Sequence, residues 1–262
     1  MGIVESIIQG IAQGLTEFIP VSSSGHTVLL QHLFSGMSDH LFLEFINIGT
    51  LLALIIFFRL KIWQILVDVF KNHNYKLARN IIITSIPAGI LGFTLAKFIG
   101  EAEFFGSVTT VIVALILVGI VMSIVEKLPH ASPVKDGSEL SPLRALIIGL
   151  AQSVALIPGV SRSGATIITG RFAGLKAREA AEYSFLASIP IMIGVCLKIF
   201  ITDHDYLVAN LPTLALSNLM AFIAGMVAIG FMLKYLAKHD LKLFGIYRIV
   251  LAVVVLIIFL VV

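Results

Sequence analysis

The stretch Gly10–Thr27, GIAQGLTEFIPVSSSGHT, returns in the second half of the chain as Gly149–Thr166, GLAQSVALIPGVSRSGAT. The two copies align without a gap and agree at eight of eighteen positions. Each is rich in Pro, Gly and Ser, and each lies among apolar runs. A duplicated, interrupted polar segment in a hydrophobic chain points to an intramembrane site between two internal repeats. The differences between the copies carry as much information. Copy one holds Glu17 and His26, an acid and a base; copy two holds Arg162, a cation.

Composition fixes the surroundings of that pair. The chain is 58% hydrophobic and 13% charged, with a mean hydropathy of +1.05. A soluble domain carries about twice that share of charge. Apolar runs reach the roughly 20 residues that a bilayer core demands. We therefore expect an all-α polytopic membrane protein. The net charge of +3 reads as loop charge under the positive-inside rule. No basic run alternates with aromatics, so nucleic acid is not an expected partner. Cys196 is the single cysteine, which rules out an internal disulfide and a thiolate metal site. The N-terminal apolar stretch holds Glu5 and lacks a basic lead, unlike a cleaved signal peptide.

Spanning helices are expected at about 41–58, 81–99, 106–125, 183–201, 213–235 and 245–262. The motif regions, about 3–35 and 143–172, are broken by Pro20 with Ser22–Gly25 and by Pro158 with Ser161–Gly164. Their flanking helices are too short to span, so each region is expected to be a re-entrant hairpin. Irregular backbone at membrane depth requires protein or a wet cavity around it. Each half then has one hairpin and three spans. Because three is odd, the second half enters the membrane inverted. The chain is expected to be one membrane domain, 1–262, with repeat one at about 1–126 and repeat two at about 140–262. Loop charge agrees: 59–79 holds Arg59, Lys61, Lys71, Lys76 and Arg79, and 234–248 holds Lys234, Lys238, Lys242 and Arg248. The 100–105 and 202–212 loops hold no Lys or Arg. The basic segments are therefore expected inside and both termini outside.

The motif residues suggest a chemistry. Gln13 and Glu17 are four apart, on one helix face. An ionisable group as deep as Glu17 is functional by default; Gln13, whose counterpart Gln152 is also Gln, serves a packing role at least as well. Ser22, Ser23 and Ser24 stand where a new helix starts, as good caps. Free amides at such a start suit phosphate. His26 lies one turn on. Arg162 stands between Ser161 and Ser163, with Thr166 one turn later. Its planar fork matches phosphate oxygens, and a resting ion pair with Glu17 is compatible with that role. There is no GxxxxGK[ST] loop, no HExxH and no zinc spacing, which disfavours nucleotide hydrolysis and zinc proteolysis. A carboxylate, a histidine, hydroxyls and an arginine at membrane depth suggest phosphate-ester or diphosphate chemistry on a lipid. A prenyl-phosphate transporter or flippase is the rival, since broken inverted repeats are common in transporters.

Gln13–Glu17 with PVSSSGH (Pro20–His26), PGVSRSGAT (Pro158–Thr166), the stretch Glu44–Ala53 and GIYR (Gly245–Arg248) closely resemble the undecaprenyl-diphosphate phosphatases of the bacitracin-resistance type. The resemblance covers essentially the whole chain. It implies hydrolysis of undecaprenyl diphosphate to the monophosphate carrier lipid, at the outer face of a bacterial plasma membrane. It implies Ser23 as nucleophile with Ser22 beside it, and Glu17 and His26 as acid/base or metal-linked groups. It also implies Ser161, Arg162 and Thr166 as phosphate binders, with Gln13, Ser24 and Ser163 around them. It further implies a divalent cation, Mg2+ or Ca2+, with Glu17 as its carboxylate; Gln13 takes the variant form of a first acidic position. Direct serine attack and attack by an activated water both remain open at this point. If the serine attacks, His26, three residues on, is its expected base.

Overall fold

Pro20 and Pro158 each fall just after an apolar helix, and the Ser-Gly runs behind them start new ones. The computed structural model describes residues 2–35, 39–95, 98 and 107–261. Among these residues the secondary structure is entirely helical. In order the helices are α1 (Ile3–Phe18), α2 (Ser23–Ser35), α3 (His40–Phe45), α4 (Asn47–Phe57), α5 (Arg59–Phe70) and α6 (Lys76–Thr94). Then come α7 (Val108–Ile124), α8 (Pro142–Val154), α9 (Arg162–Phe172), α10 (Ala177–Thr202), α11 (His204–Ala209), α12 (Leu211–Leu236) and α13 (Lys242–Val261). Both expected breaks are present: α1 stops at Phe18 and α2 starts at Ser23; α8 stops at Val154 and α9 starts at Arg162. At 16 and 13 residues, α1 and α8 reach only about 24 and 20 Å at 1.5 Å per residue, short of a roughly 30 Å hydrocarbon core.

Five stretches among the described residues are long and apolar enough to cross a membrane: His40–Phe57, Lys76–Thr94, Val108–Lys127, Ala177–Thr202 and Leu211–Leu236. They fall on five of the six expected spans. The sixth coincides with α13, a 20-residue helix. Three spans differ most from expectation, and the one expected at 183–201 begins at Ala177. The span expected at 81–99 begins at Lys76, because Lys76 and Arg79 continue the helix as long side chains that can reach the interface. The span expected at 41–58 is two helices meeting at Ile46. The acidic 100–105 loop lies outside the described residues.

The packing is cross-wise. Helix α1 lies along α12, α8 lies along α6, and α7 pairs with α13. Small residues permit the approach, as in membrane helix pairs generally. A Cβ on Gly10 would collide with the Ser217 carbonyl oxygen, and one on Gly149 would come within 2.6 Å of that of Thr84. Between the breaks and the long helices sits an apolar core. There Phe18 meets Phe185 edge to face at 5.5 Å, and both are fully buried. Outward faces carry large apolar side chains such as Phe93, Leu117, Val227 and Ile257, a surface suited to lipid.

On the basic side, the 128–141 segment is tied down by Asn80, which donates to the carbonyls of Gly137 and Leu140 at 2.9 and 2.8 Å. Burial pushes the Asp136 carboxyl there upward. Hydrogen bonds from Ser138 and the charges of Lys61 and Lys135 outweigh it, leaving its pKa below the ordinary value.

Candidate active site

The two breaks share one backbone design. Ser22 has φ 75°, and Ser161, its counterpart in the second copy, has φ 72°. A left-handed conformation at a residue with a Cβ costs on the order of 1–3 kcal/mol and persists only where surroundings over-determine it. In both breaks the serine turns its hydroxyl onto the new helix start. Ser22 Oγ accepts from the Gly25 amide at 3.4 Å, and Ser161 Oγ from the Gly164 amide at 3.2 Å. Each hydroxyl also meets the serine two residues on, Ser24 at 3.3 Å and Ser163 at 3.2 Å. Thr27 and Thr166 return their hydroxyls to the carbonyls of Ser23 and Arg162, at 3.0 and 2.8 Å. The strain and the caps therefore aim two helix starts while leaving the residue after each cap free to carry chemistry.

Those next residues are Ser23 and Arg162, and Glu17 joins them. Ser23 Oγ donates to Glu17 Oε2 at 2.6 Å. Arg162 Nη2 donates to Glu17 Oε1 in a mostly buried ion pair. Gln13 Nε2 donates to Glu17 Oε2 at 3.1 Å and to Asn47 Oδ1 at 2.7 Å. The Arg162 Nη1 group is buried and has no partner. A guanidinium group in this setting calls for an acceptor, and phosphate oxygens match its fork.

His26 stands on the same helix start with a fixed ring. Nδ1 lies 2.7 Å from the Ser22 carbonyl oxygen, and Nε2 lies 2.8 Å from the Tyr247 hydroxyl. The carbonyl can only accept, so Nδ1 carries the proton; in the neutral ring Nε2 then accepts from Tyr247. The two rings stack with centroids 5.8 Å apart. The expected Ser23–His26 pairing is not the one formed: the serine gives its proton to Glu17, and His26 is drawn back onto the carbonyl of the strained Ser22.

Thus Gln13, Glu17, Ser23 and Arg162 meet at one point, and His26 lies one turn away. Ser22 and Ser161 are scaffold residues, buried and capping. Ser24 is exposed. Ser163 is buried against the Ser161 cap. Thr166 is 1% exposed, with its hydroxyl 2.5 Å from Ser184 Oγ and turned to its own helix backbone. Its place matches that of Thr27, a packing role shared by both loops, and the structure does not bring it to Glu17. Asn47, Tyr247 and Arg248 complete the centre, and residue-by-residue reading missed them as site residues. The stretches Glu44–Ala53 and Gly245–Arg248 contain them, but only the fold brings them near.

No group of three His, Cys, Asp or Glu side chains gathers as a metal cage among the described residues. Mg2+ is commonly held by one or two carboxylates together with substrate phosphates. Glu17, with the Ser23 hydroxyl on it, supplies one carboxylate and one neutral oxygen, a donor set that fits an ion shared with a diphosphate.

A helical bundle with membrane-length apolar helices, and with a carboxylate, a serine and an arginine joined at two helix breaks, defines a multi-pass membrane protein with a mostly buried polar centre. The model of the family described as bacitracin resistance protein BacA matches residues 6–254. The chain is 40% identical to undecaprenyl-diphosphatase 1 of Clostridioides difficile (strain 630) over 264 residues, covering 97% of this chain and 95% of that one. It is 37% identical to an undecaprenyl-diphosphatase of Korarchaeum cryptofilum over 269 residues, 98% and 99% of the two chains. An Acinetobacter baumannii undecaprenyl-diphosphatase is 35% identical over 260 residues, 97% and 95% of the two. The chain belongs to the bacitracin resistance protein BacA family.

Proposed function

We propose that this protein hydrolyses undecaprenyl diphosphate to undecaprenyl monophosphate and inorganic phosphate, and thereby confers resistance to bacitracin. The observation that carries the reading is the Glu17 carboxylate, which holds Ser23 on one oxygen and Arg162 on the other. The terminal phosphate of the substrate takes Arg162 from Glu17 and occupies its unpartnered Nη1. Glu17, released, accepts the Ser23 proton as general base. Ser23 Oγ forms a bond to the terminal phosphorus, the bond from that phosphorus to the bridging oxygen breaks, and undecaprenyl monophosphate leaves with the electron pair. Amides at the two helix starts and Arg162 stabilise the developing charge. Water then attacks the phosphorus and the bond to Ser23 Oγ breaks; Glu17 returns its proton to Ser23 Oγ, and His26 Nε2, on giving up the Tyr247 hydroxyl, takes the proton of the water. Glu17 and Ser23 would hold a divalent cation, which when bound supplies Lewis-acid neutralisation of the diphosphate charge.

The same reading places the site between inverted repeats of one membrane domain, with re-entrant α1–α2 and α8–α9 and with an opening to the outer face of the plasma membrane. The cross-wise packing supports it. At the offset of the repeated motif, α1 corresponds to α8 and α6 to α12. Thus α1 on α12 and α8 on α6 are one contact made twice with the halves exchanged, and α7 on α13 joins two corresponding helices.

Phosphate release in detergent micelles tests the activity, because a micelle has no sides to transport between. A purified protein that binds the lipid diphosphate and releases no phosphate is a carrier instead. Single cysteines at His73 and His204, in a Cys196→Ser background, test the topology. They should label from opposite sides of a sealed vesicle; labelling from one side removes the inverted repeat.

A further inference from the structure

Arg248 is fully buried on α13, and among the described residues no carboxylate forms an ion pair with it. Its two terminal nitrogens donate to backbone, while its buried Nε has no partner among the described residues. Nη1 donates to the Pro20 carbonyl oxygen at 3.2 Å; Nη2 donates to the Gly159 carbonyl oxygen and to that of Val160 at 3.1 Å. Pro20 and Gly159 are the same position in the two copies of the motif. One fork therefore grips both loops by corresponding carbonyls. Such carbonyls, released where a helix breaks, need a donor when water is absent.

We infer that Arg248 is a positioning residue: it latches the two broken loops together so that Ser23 and Arg162 converge on Glu17. The Pro20 and Gly159 carbonyls each lie two residues before a strained serine, Ser22 or Ser161, and the Val160 carbonyl lies one residue before Ser161. Strain of that kind survives only under outside constraint, and Arg248 applies one constraint to both loops. Its own support is rigid. A Cβ on Gly245, one turn earlier, would lie 2.5 Å from the Gly119 carbonyl oxygen, so α13 is seated directly on α7 beside the latch. The adjoining Tyr247 meets His26, so two successive residues of α13 set the first loop. A lysine could not replace the fork, because one ammonium lacks the planar pair of nitrogens that reaches two loops at once.

The kinetic arm of the test rests on the proposed phosphatase activity; the distance arm does not. Arg248→Lys and Arg248→Gln would be purified in detergent and compared with the parent for melting temperature, kcat and KM. Arg248→Lys should melt within a few degrees of the parent, with kcat down tenfold or more and KM within about threefold. Combined with Arg162→Lys, it should cost less than the product of the two single effects, since both disturb one alignment. A merely structural arginine would lower the folded fraction and multiply with Arg162→Lys. Separately, nitroxides on cysteines at Phe34 of α2 and Val154 of α8, both exposed, should give one narrow distance in the parent and a broadened one in Arg248→Lys. Parental kcat in Arg248→Lys, multiplicative effects, an unchanged distance distribution, or failure of both variants to fold would each overturn the latch. Absence of phosphate release from the parent would instead overturn the activity and leave the distance to judge the latch.

Discussion

The first loop, from Phe18 to His26, and the second, from Ile157 to Ala165, have the same skeleton and different cargo. Both turn through a left-handed serine, both cap the next helix with that serine, and both return a threonine hydroxyl to the backbone. Yet Ser23 in one corresponds to Arg162 in the other, and Glu17 corresponds to Leu156. Duplication supplied a pair of aimed helix starts, and divergence divided the chemistry between them. A hydroxyl and a guanidinium cannot share one position, but the two copies of that position hold one each, both on Glu17. The Glu17 carboxylate bonds both, Ser23 on one oxygen and Arg162 on the other, and its counterpart Leu156 is apolar.

The division of cargo can be broken most severely at the first loop. Ser23→Ala should abolish turnover, and Glu17→Gln should lower kcat on the order of a hundredfold or more, the range of a lost general base. Acid quench with lipid labelled at its terminal phosphate should trap phosphoserine at Ser23. Substantial turnover in Ser23→Ala, with no trapped phosphoserine, would hand the attack to water. At the second loop, Arg162→Lys keeps charge and loses the fork, so activity should fall roughly tenfold or more. A fully active lysine variant would show that the second loop contributes charge alone.

Two smaller effects sharpen the comparison. Tyr247→Phe removes one hydrogen bond from His26 and should slow turnover roughly two- to tenfold, the worth of one such bond. An unaltered rate would mean that the Ser22 carbonyl alone sets the ring. Ser22→Ala and Ser161→Ala each remove a cap worth roughly 0.5–2 kcal/mol. Their melting temperatures should fall by similar amounts, because the two caps do the same job. A large drop for one and none for the other would show that the two breaks are not equivalent supports.

The membrane class, the position of the spans and both helix breaks were legible in the sequence. Each follows from local chemistry: long apolar runs, and Pro-Ser-Gly stretches that a helix cannot carry through. Glu17, Ser23 and Arg162 were legible for a related reason, since polar groups in apolar surroundings stand out wherever they fall. Only the tertiary structure decided who pairs with whom. Ser23 and His26 are three residues apart on one helix, yet the serine bonds Glu17, because the left-handed Ser22 turns its carbonyl to the histidine. Thr166 has the motif position of a phosphate binder, and the fold turns its hydroxyl to Ser184 and its own helix. Arg248 read as one more basic residue at the edge of a loop. Its guanidinium became a fully buried clamp because the last helix seats it between two carbonyls from opposite halves of the chain. Sequence declares which groups are costly to bury; packing alone determines which partners offset that cost.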